Sequence, residues 1–145
     1  MGLDHTLNRL FVGLYQDIQD IEQKSLITEE YKDITLNDMH VIEAIGISDK
    51  KTSSTVAKTL GITMGTLTKA VDGLTEKQYV MRERSEEDKR VVLLSLLPKG
   101  EKAYHHHARF HQNMVKAVLD QLDDEEKDVL VRTLGNLEGF FKDSI

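Results

Sequence analysis

Residues 52–74 read Thr52-Ser53-Ser54-Thr55-Val56-Ala57-Lys58-Thr59-Leu60-Gly61-Ile62-Thr63-Met64-Gly65-Thr66-Leu67-Thr68-Lys69-Ala70-Val71-Asp72-Gly73-Leu74. Two helical periods lie on either side of a glycine. In residues 52–60, Val56, Ala57 and Leu60 share one face, and hydroxyl residues stand at the start. From 64 to about 77, Leu67, Ala70, Val71 and Leu74 form a second apolar stripe, with Thr63 placed to cap the helix. Gly61-Ile62-Thr63 supplies the reversal between them. A short helix, a glycine turn and a second helix are the sequence form of a helix-turn-helix.

The face of the second helix opposite its stripe carries Gly65, Thr68, Lys69, Asp72 and Glu76, with Thr66 on one flank. Small hydroxyls beside a lysine near the N-terminal end suit a helix laid against base edges. Gly65 removes bulk, while Thr66 and Thr68 can bond bases or phosphates. Met64 and Lys69 belong to the same face, and Ser53 at the head of the preceding helix joins the candidate DNA-binding set.

Downstream, Tyr79 to Arg84 and Arg90 to Leu96 alternate apolar or β-branched residues with polar ones and flank the charged turn Ser85-Glu86-Glu87-Asp88-Lys89. This predicts a hairpin. Asp88 stands two residues before Arg90, close enough to hold the guanidinium extended through a bidentate pair. An arginine so oriented at a hairpin tip can enter a narrow minor groove, where the negative potential is enhanced. Lys89 shares the tip, and Arg82 and Arg84, on one face of the first strand, can reach flanking phosphates.

Upstream, Tyr31 to Ile34 reads as connection. Thr35-Leu36-Asn37-Asp38 then has a capping-box form and opens a short helix through Met39, Ile42 and Ile45. Gly46 is placed to end that helix in a left-handed conformation. Leu7, Leu10, Phe11, Leu14, Ile18 and Ile21 recur at spacings of three and four, predicting an amphipathic helix of five or six turns. Pro98, the sole proline, suits the first turn of a helix over 99–121. A last helix over 124–142 is introduced by Asp123, Asp124, Glu125 and Glu126.

A chain of 145 residues can bury a real core, and 39% hydrophobic with 30% charged residues is ordinary for a globular protein. It has no cysteine, so disulfides and thiolate metal sites are excluded. No apolar run approaches the ~20 residues of a membrane span, and Met1 to Arg9 lacks the order of a signal peptide. A cytoplasmic location is expected. The net charge of −6 is unevenly spread. Residues 49–90 hold nine basic and seven acidic side chains, leaving the remainder at −8. A mildly basic middle thus sits in an acidic body, and screening beyond ~8–10 Å leaves the local face to decide phosphate binding. No Gly-rich phosphate loop or nucleophile elbow is present, so no enzyme is expected.

Thr63-Met-Gly-Thr-Leu-Thr-Lys-Ala-Val-Asp-Gly-Leu, then Tyr79-Val80, Arg84, Asp88-Lys89-Arg90 and Leu94-Ser95-Leu96-x-x-Lys99-Gly100, resemble the MarR family of winged-helix regulators. Leu97-Pro98 departs from the pattern, which has a threonine opening the next helix. The resemblance implies a mainly α fold with a small β-hairpin wing. It forms a single domain over 1–145, with the winged helix-turn-helix at 35–97 and dimerisation helices at 1–30 and 99–145. It also implies a homodimer with interlaced terminal helices on a pseudo-palindromic operator of double-stranded DNA.

Met39-His40-x-Ile42-Glu43-x-Ile45-Gly46, Arg84-Ser85-Glu86 and Arg109-Phe110-His111-x-x-Met114-Val115 are similar to the fatty-acid-biosynthesis repressors of streptococci and other lactic acid bacteria. That similarity implies repression of fatty-acid synthesis genes, with long-chain acyl–acyl carrier protein as corepressor and no required cofactor. Family ligands sit between the dimer helices and the winged domain. Candidate lining residues are Phe11, Leu14, Met39, His40, Ile42, Phe110 and Met114. The alternative is zinc. His107 and His111 stand at i, i+4, and His40 with Glu22 completes an N/O ligand set. This spacing is also similar to that of zinc-responsive repressors in the family. The run His105-His106-His107 has a plainer reading as a solvated stretch.

Overall fold

Threonine hydroxyls turned back onto the chain start the three helices that build the middle of the molecule. Along the computed structural model the elements are α1 (Leu3–Leu26), α2 (Leu36–Ile45), β1 (Lys51–Thr52), α3 (Ser53–Leu60), α4 (Met64–Glu76), β2 (Val80–Arg84), β3 (Val92–Leu96), α5 (Pro98–Leu119) and α6 (Asp124–Asp143). The structure describes residues 2–26 and 30–145. Thr35 caps α2: its Oγ1 accepts from Asp38 N, and the Asp38 carboxylate accepts from Thr35 N, each at 3.1 Å. Thr52 and Thr63 cap α3 and α4 by accepting from the backbone N–H three residues on, each at 3.2 Å. Such caps satisfy donors that a helix leaves orphaned.

Contacts divide the chain into two compact units, Met1–Ala108 and Arg109–Ile145, with the division inside α5. In the first unit the stripes expected from the periodicity close on one core. Met39, Ile42, Ile45, Val56, Leu67, Leu74, Tyr79, Val80 and Leu94 are fully buried in it. The sheet has the order β1-β3-β2. The hairpin pairs Val80 with Leu96 and Arg84 with Val92. Arg90 and Val91, read as the start of the second strand, belong instead to the turn. Ser85 N bonds Val91 O at 2.9 Å, and Val91 N bonds Asp88 O at 2.9 Å, closing the loop before β3 begins.

β1, absent from the sequence reading, pairs Lys51 with Leu94 and Thr52 with Leu93 along the free edge of β3. Gly46 also departs from expectation: its φ of 70° is positive, but ψ is −178°, an extended conformation reserved for glycine rather than the left-handed helical one. Lys51 Nζ donates to Ile45 O at 2.6 Å, serving one of the carbonyls this helix end leaves open.

α5 begins beneath β2. Leu97 N donates to Tyr79 O at 3.0 Å, Pro98 takes the first helical position, and Gly100 lies so near that a Cβ there would stand 2.1 Å from Tyr79 O. Only a residue without a side chain fits. The Tyr79 hydroxyl donates to Asp33 Oδ1 at 2.7 Å, and Lys99 Nζ lies 3.4 Å from Asp33 Oδ2. These donors hold the Asp33 carboxyl below its usual range, Tyr79 contributing most, while burial and the Asp33 charge push the Tyr79 phenol up.

The second unit holds the rest of α5 and α6. Asp123 and Glu126 form a capping box at the head of α6. α6 buries none of its residues within the chain, and Val129, Val131, Leu134, Phe140 and Phe141 are all exposed.

Candidate nucleic-acid interface

The head of α3, the exposed face of α4 and the hairpin enclose a cleft of about 360 Å³. Ser53, Met64, Thr68, Arg82 and Arg84 line it, over a floor of Leu67, Val71 and Val92. All five rim residues belong to the set expected to meet DNA. Alternation along β2 explains the two arginines: Val80, Arg82 and Arg84 share a face, buried at Val80 and opening to solvent at both arginines.

Caps also set the chemistry of the α4 hydroxyls. Thr63 Oγ1 donates to Thr66 Oγ1 at 2.9 Å, which leaves the Thr66 proton for an outside acceptor. Thr68 Oγ1 donates to Met64 O at 2.8 Å, so toward DNA it offers only its lone pairs. Gly65 has open space where a side chain would stand, allowing close approach. Lys69 is exposed on the same helix.

At the hairpin tip, Arg90 Nε and Nη2 donate to the two oxygens of Asp88, each at 3.1 Å, and Arg90 N also bonds Asp88 Oδ1 at 3.1 Å. This is the bidentate hold that the spacing suggests. It keeps the Asp88 carboxyl below its usual range and raises the guanidinium. The Arg90 side chain is still 90% exposed, an arm held straight but not covered. Arg84 Nη1 donates to Lys89 O at 2.8 Å, bracing the turn and placing Lys89 beside the tip.

Two ion pairs of this region were not legible in the sequence. Arg82 Nη1 meets Asp72 Oδ1 at 2.5 Å, linking β2 to α4, and Lys50 pairs with Glu83 on the other face of the strand. Asp72 lies one turn beyond Thr68, so the only signal was its place on the DNA-side face.

The other candidate residues fall in several places. Met39 and Ile42 are sealed in the core, while Phe11 and Leu14 stand exposed on α1. His40 lines a separate cleft of about 580 Å³ together with Glu43, Lys51 and Tyr104. Phe110 and Met114 are half-buried on the α5 segment of the second unit. Of the alternative metal set, Glu22 has both His40 and His107 as neighbours. Glu22 Oε1 lies 3.2 Å from His40 Nε2 and 3.1 Å from His107 Nε2, and Glu43 Oε2 is 3.1 Å from His107 Nε2. His111 follows one helical turn after His107, in the second unit. The histidine run is not a uniform solvated stretch: His107 is buried, His106 Nε2 lies 2.9 Å from Ser25 O, and His105 is exposed.

Residues 32–91 match the profile of the MarR family. The chain resembles the crystal structure of Streptococcus pneumoniae FabT in complex with DNA, at 36% identity and a TM-score of 0.92, covering 97% of this chain and 99% of that one. It is 34% identical over 57% of its length to the transcriptional repressor YetL of Bacillus subtilis; the matched stretch spans 49% of that relative. The transcriptional regulator ZitR of Lactococcus lactis is 26% identical over 91% of this chain and 94% of its own. A structure of ZitR, described as a zinc-responsive MarR family member, shares the fold with a TM-score of 0.71. These relatives are transcription regulators rather than enzymes. With its capped recognition helix, braced wing and whole-length likeness to a DNA-bound relative, the chain belongs to the MarR family of winged helix-turn-helix transcription regulators.

Proposed function

We propose that two copies of this chain bind a pseudo-palindromic operator as a homodimer and repress fatty-acid biosynthesis genes, with long-chain acyl–acyl carrier protein as corepressor. The observation that carries this reading is the 36% identity to FabT across nearly the whole of both chains, together with the resemblance of residues 39–46 and 109–115 to the fatty-acid repressors. The dimer is supported by the exposed apolar faces of α1 and α6. A two-fold protein reads half-sites one DNA turn apart. α4 enters the major groove, and Arg90 enters the adjoining minor groove. The test is genome-wide promoter binding repeated with acyl–acyl carrier protein and with zinc. Enrichment at fatty-acid synthesis promoters that strengthens with the acyl carrier is the expected result; enrichment indifferent to it removes the corepressor.

A second reading has an observation of its own. Glu22 Oε1 lies 3.2 Å from His40 Nε2 and 3.1 Å from His107 Nε2; imidazole and carboxylate donors suit zinc, and His111 is the fourth candidate of the expected set. Zinc there would tie α1, α2 and α5 together by neutralising the carboxylate and fixing both rings. Metal analysis of protein purified without a histidine tag, with DNA binding measured with and without zinc, separates the two effectors.

A further inference from the structure

We propose that Asp72 sets the balance between sequence-selective and sequence-blind binding at this interface by holding Arg82. The inference rests on the DNA-binding reading and extends it to a residue outside the expected contact set. Of the three hairpin arginines, Arg84 bonds Lys89 O and Arg90 bonds Asp88, both within the hairpin. Arg82 alone is tied to the recognition helix, with its Nη1 2.5 Å from Asp72 Oδ1. Folding does not require the pair. Its side chains are 36% and 57% exposed, and such a surface pair adds little to stability. β2 is already held by its register with β3 and by burial of Val80.

The carboxylate matters for what a free Arg82 would do. A guanidinium on the cleft rim matches any phosphate in a two-pronged geometry. Phosphate contacts add affinity without sequence information. Asp72 neutralises that charge and fixes the fork across the cleft. Selectivity is then left to the hydroxyls of α4 and to the arm at Arg90.

The test compares wild type, Asp72→Asn, Arg82→Ala and the double variant as full chains. One duplex is enriched by the wild type from a random library, and the other is a scrambled duplex of the same composition. Asp72→Asn is expected to raise affinity for the scrambled duplex about tenfold. The slope of log K against log salt should steepen by about 0.9, one added phosphate contact. The enriched duplex gains less, so the selectivity ratio falls. Arg82→Ala serves as the baseline for the double variant, in which the Asp72→Asn gain disappears. An unchanged ratio and slope in Asp72→Asn overturns the proposal. So does an equal loss on both duplexes, which marks a structural support, or a gain that survives Arg82→Ala. A wild type that enriches no sequence fails earlier and sinks the DNA-binding reading with it.

Discussion

The winged region and the terminal helices carry apolar stripes of similar periodicity, yet they end in opposite states. Between residues 35 and 97, Met39, Ile42, Val56, Leu67, Val71 and Leu74 are all within 2% of complete burial. On α1, Phe11 and Leu14 are 43% and 56% exposed, and on α6 Val131 and Phe140 are 68% and 64% exposed. Period identifies which face is apolar; it does not say whose atoms will cover it. The winged region is covered within the chain, because its three short helices, the edge strand and the hairpin converge on one core that Leu26, Tyr31, Ile34 and Ala103 complete. α1 and α6 leave contiguous apolar faces of the kind that mark association surfaces.

The sharpest way to break the region covered within the chain is where α5 is seated against β2. Gly100→Ala places a methyl group 2.1 Å from the Tyr79 carbonyl, which is backbone and cannot swing aside. The expected cost is about 3 kcal/mol, at the upper end for overpacking. Thermal and urea unfolding would show it. If the variant melts with the wild type, α5 is not seated against β2 as described.

Phe11→Glu with Leu14→Glu attacks the other region. Both side chains are already exposed within the chain, so the fold should survive. If a second copy covers this face, sedimentation will show a monomer. Affinity for a two-half-site operator will fall about 100-fold, near 2.7 kcal/mol, because one half-site is lost. A double variant that stays dimeric assigns the dimer contact to another surface.

Tyr79→Phe removes the hydroxyl that bonds Asp33 Oδ1. Because the Asp33 side chain is 40% exposed, the cost should be discounted to about 1 kcal/mol. Its pH dependence follows from the depressed carboxyl, whose ordinary value is 3.8. That stabilisation is complete above the ordinary value and is lost as pH falls through the lower folded one. Wild type and variant should therefore differ by a constant amount near neutrality and converge in acid below pH ~4. A gap that persists unchanged into strong acid argues against an ionised partner.

Much of the winged region was legible because each local signal has one physical reading. A threonine before an apolar period is a cap, Gly61 ends α3, and alternating residues around a charged turn make a hairpin. What stayed hidden depends on partners far along the chain. Lys51 and Thr52 become a strand only because the edge of β3 runs beside them. Arg82 finds Asp72 across the gap between β2 and α4. Met39 and Ile42 have the chemistry of a pocket wall, but the packing of α2 seals them. His105, His106 and His107 look alike in sequence, and helix geometry points them in different directions.

Two helix ends inside the winged region supply the finest comparison. α3 and α4 finish in the same way: Ile62 N returns to Ala57 O, and Tyr79 N returns to Leu74 O, the long bond of a Schellman motif. The residue that makes the reversal has φ 67° at Gly61 and φ 69° at Gln78. One is glycine, for which this conformation is free of strain; the other carries a Cβ, at a cost of about 1–2 kcal/mol. Gln78→Gly removes that strain but makes the unfolded chain more flexible, which takes back about 0.4–1 kcal/mol. A net gain of about 0.5 kcal/mol is expected. Gly61→Gln should lose a similar amount, since a Cβ there meets open space and only the backbone objects. Matched urea titrations of the two variants read both signs. Opposite shifts of similar size locate the difference in backbone conformation; a loss in both would mean that the Gln78 side chain contributes more than its strain removes.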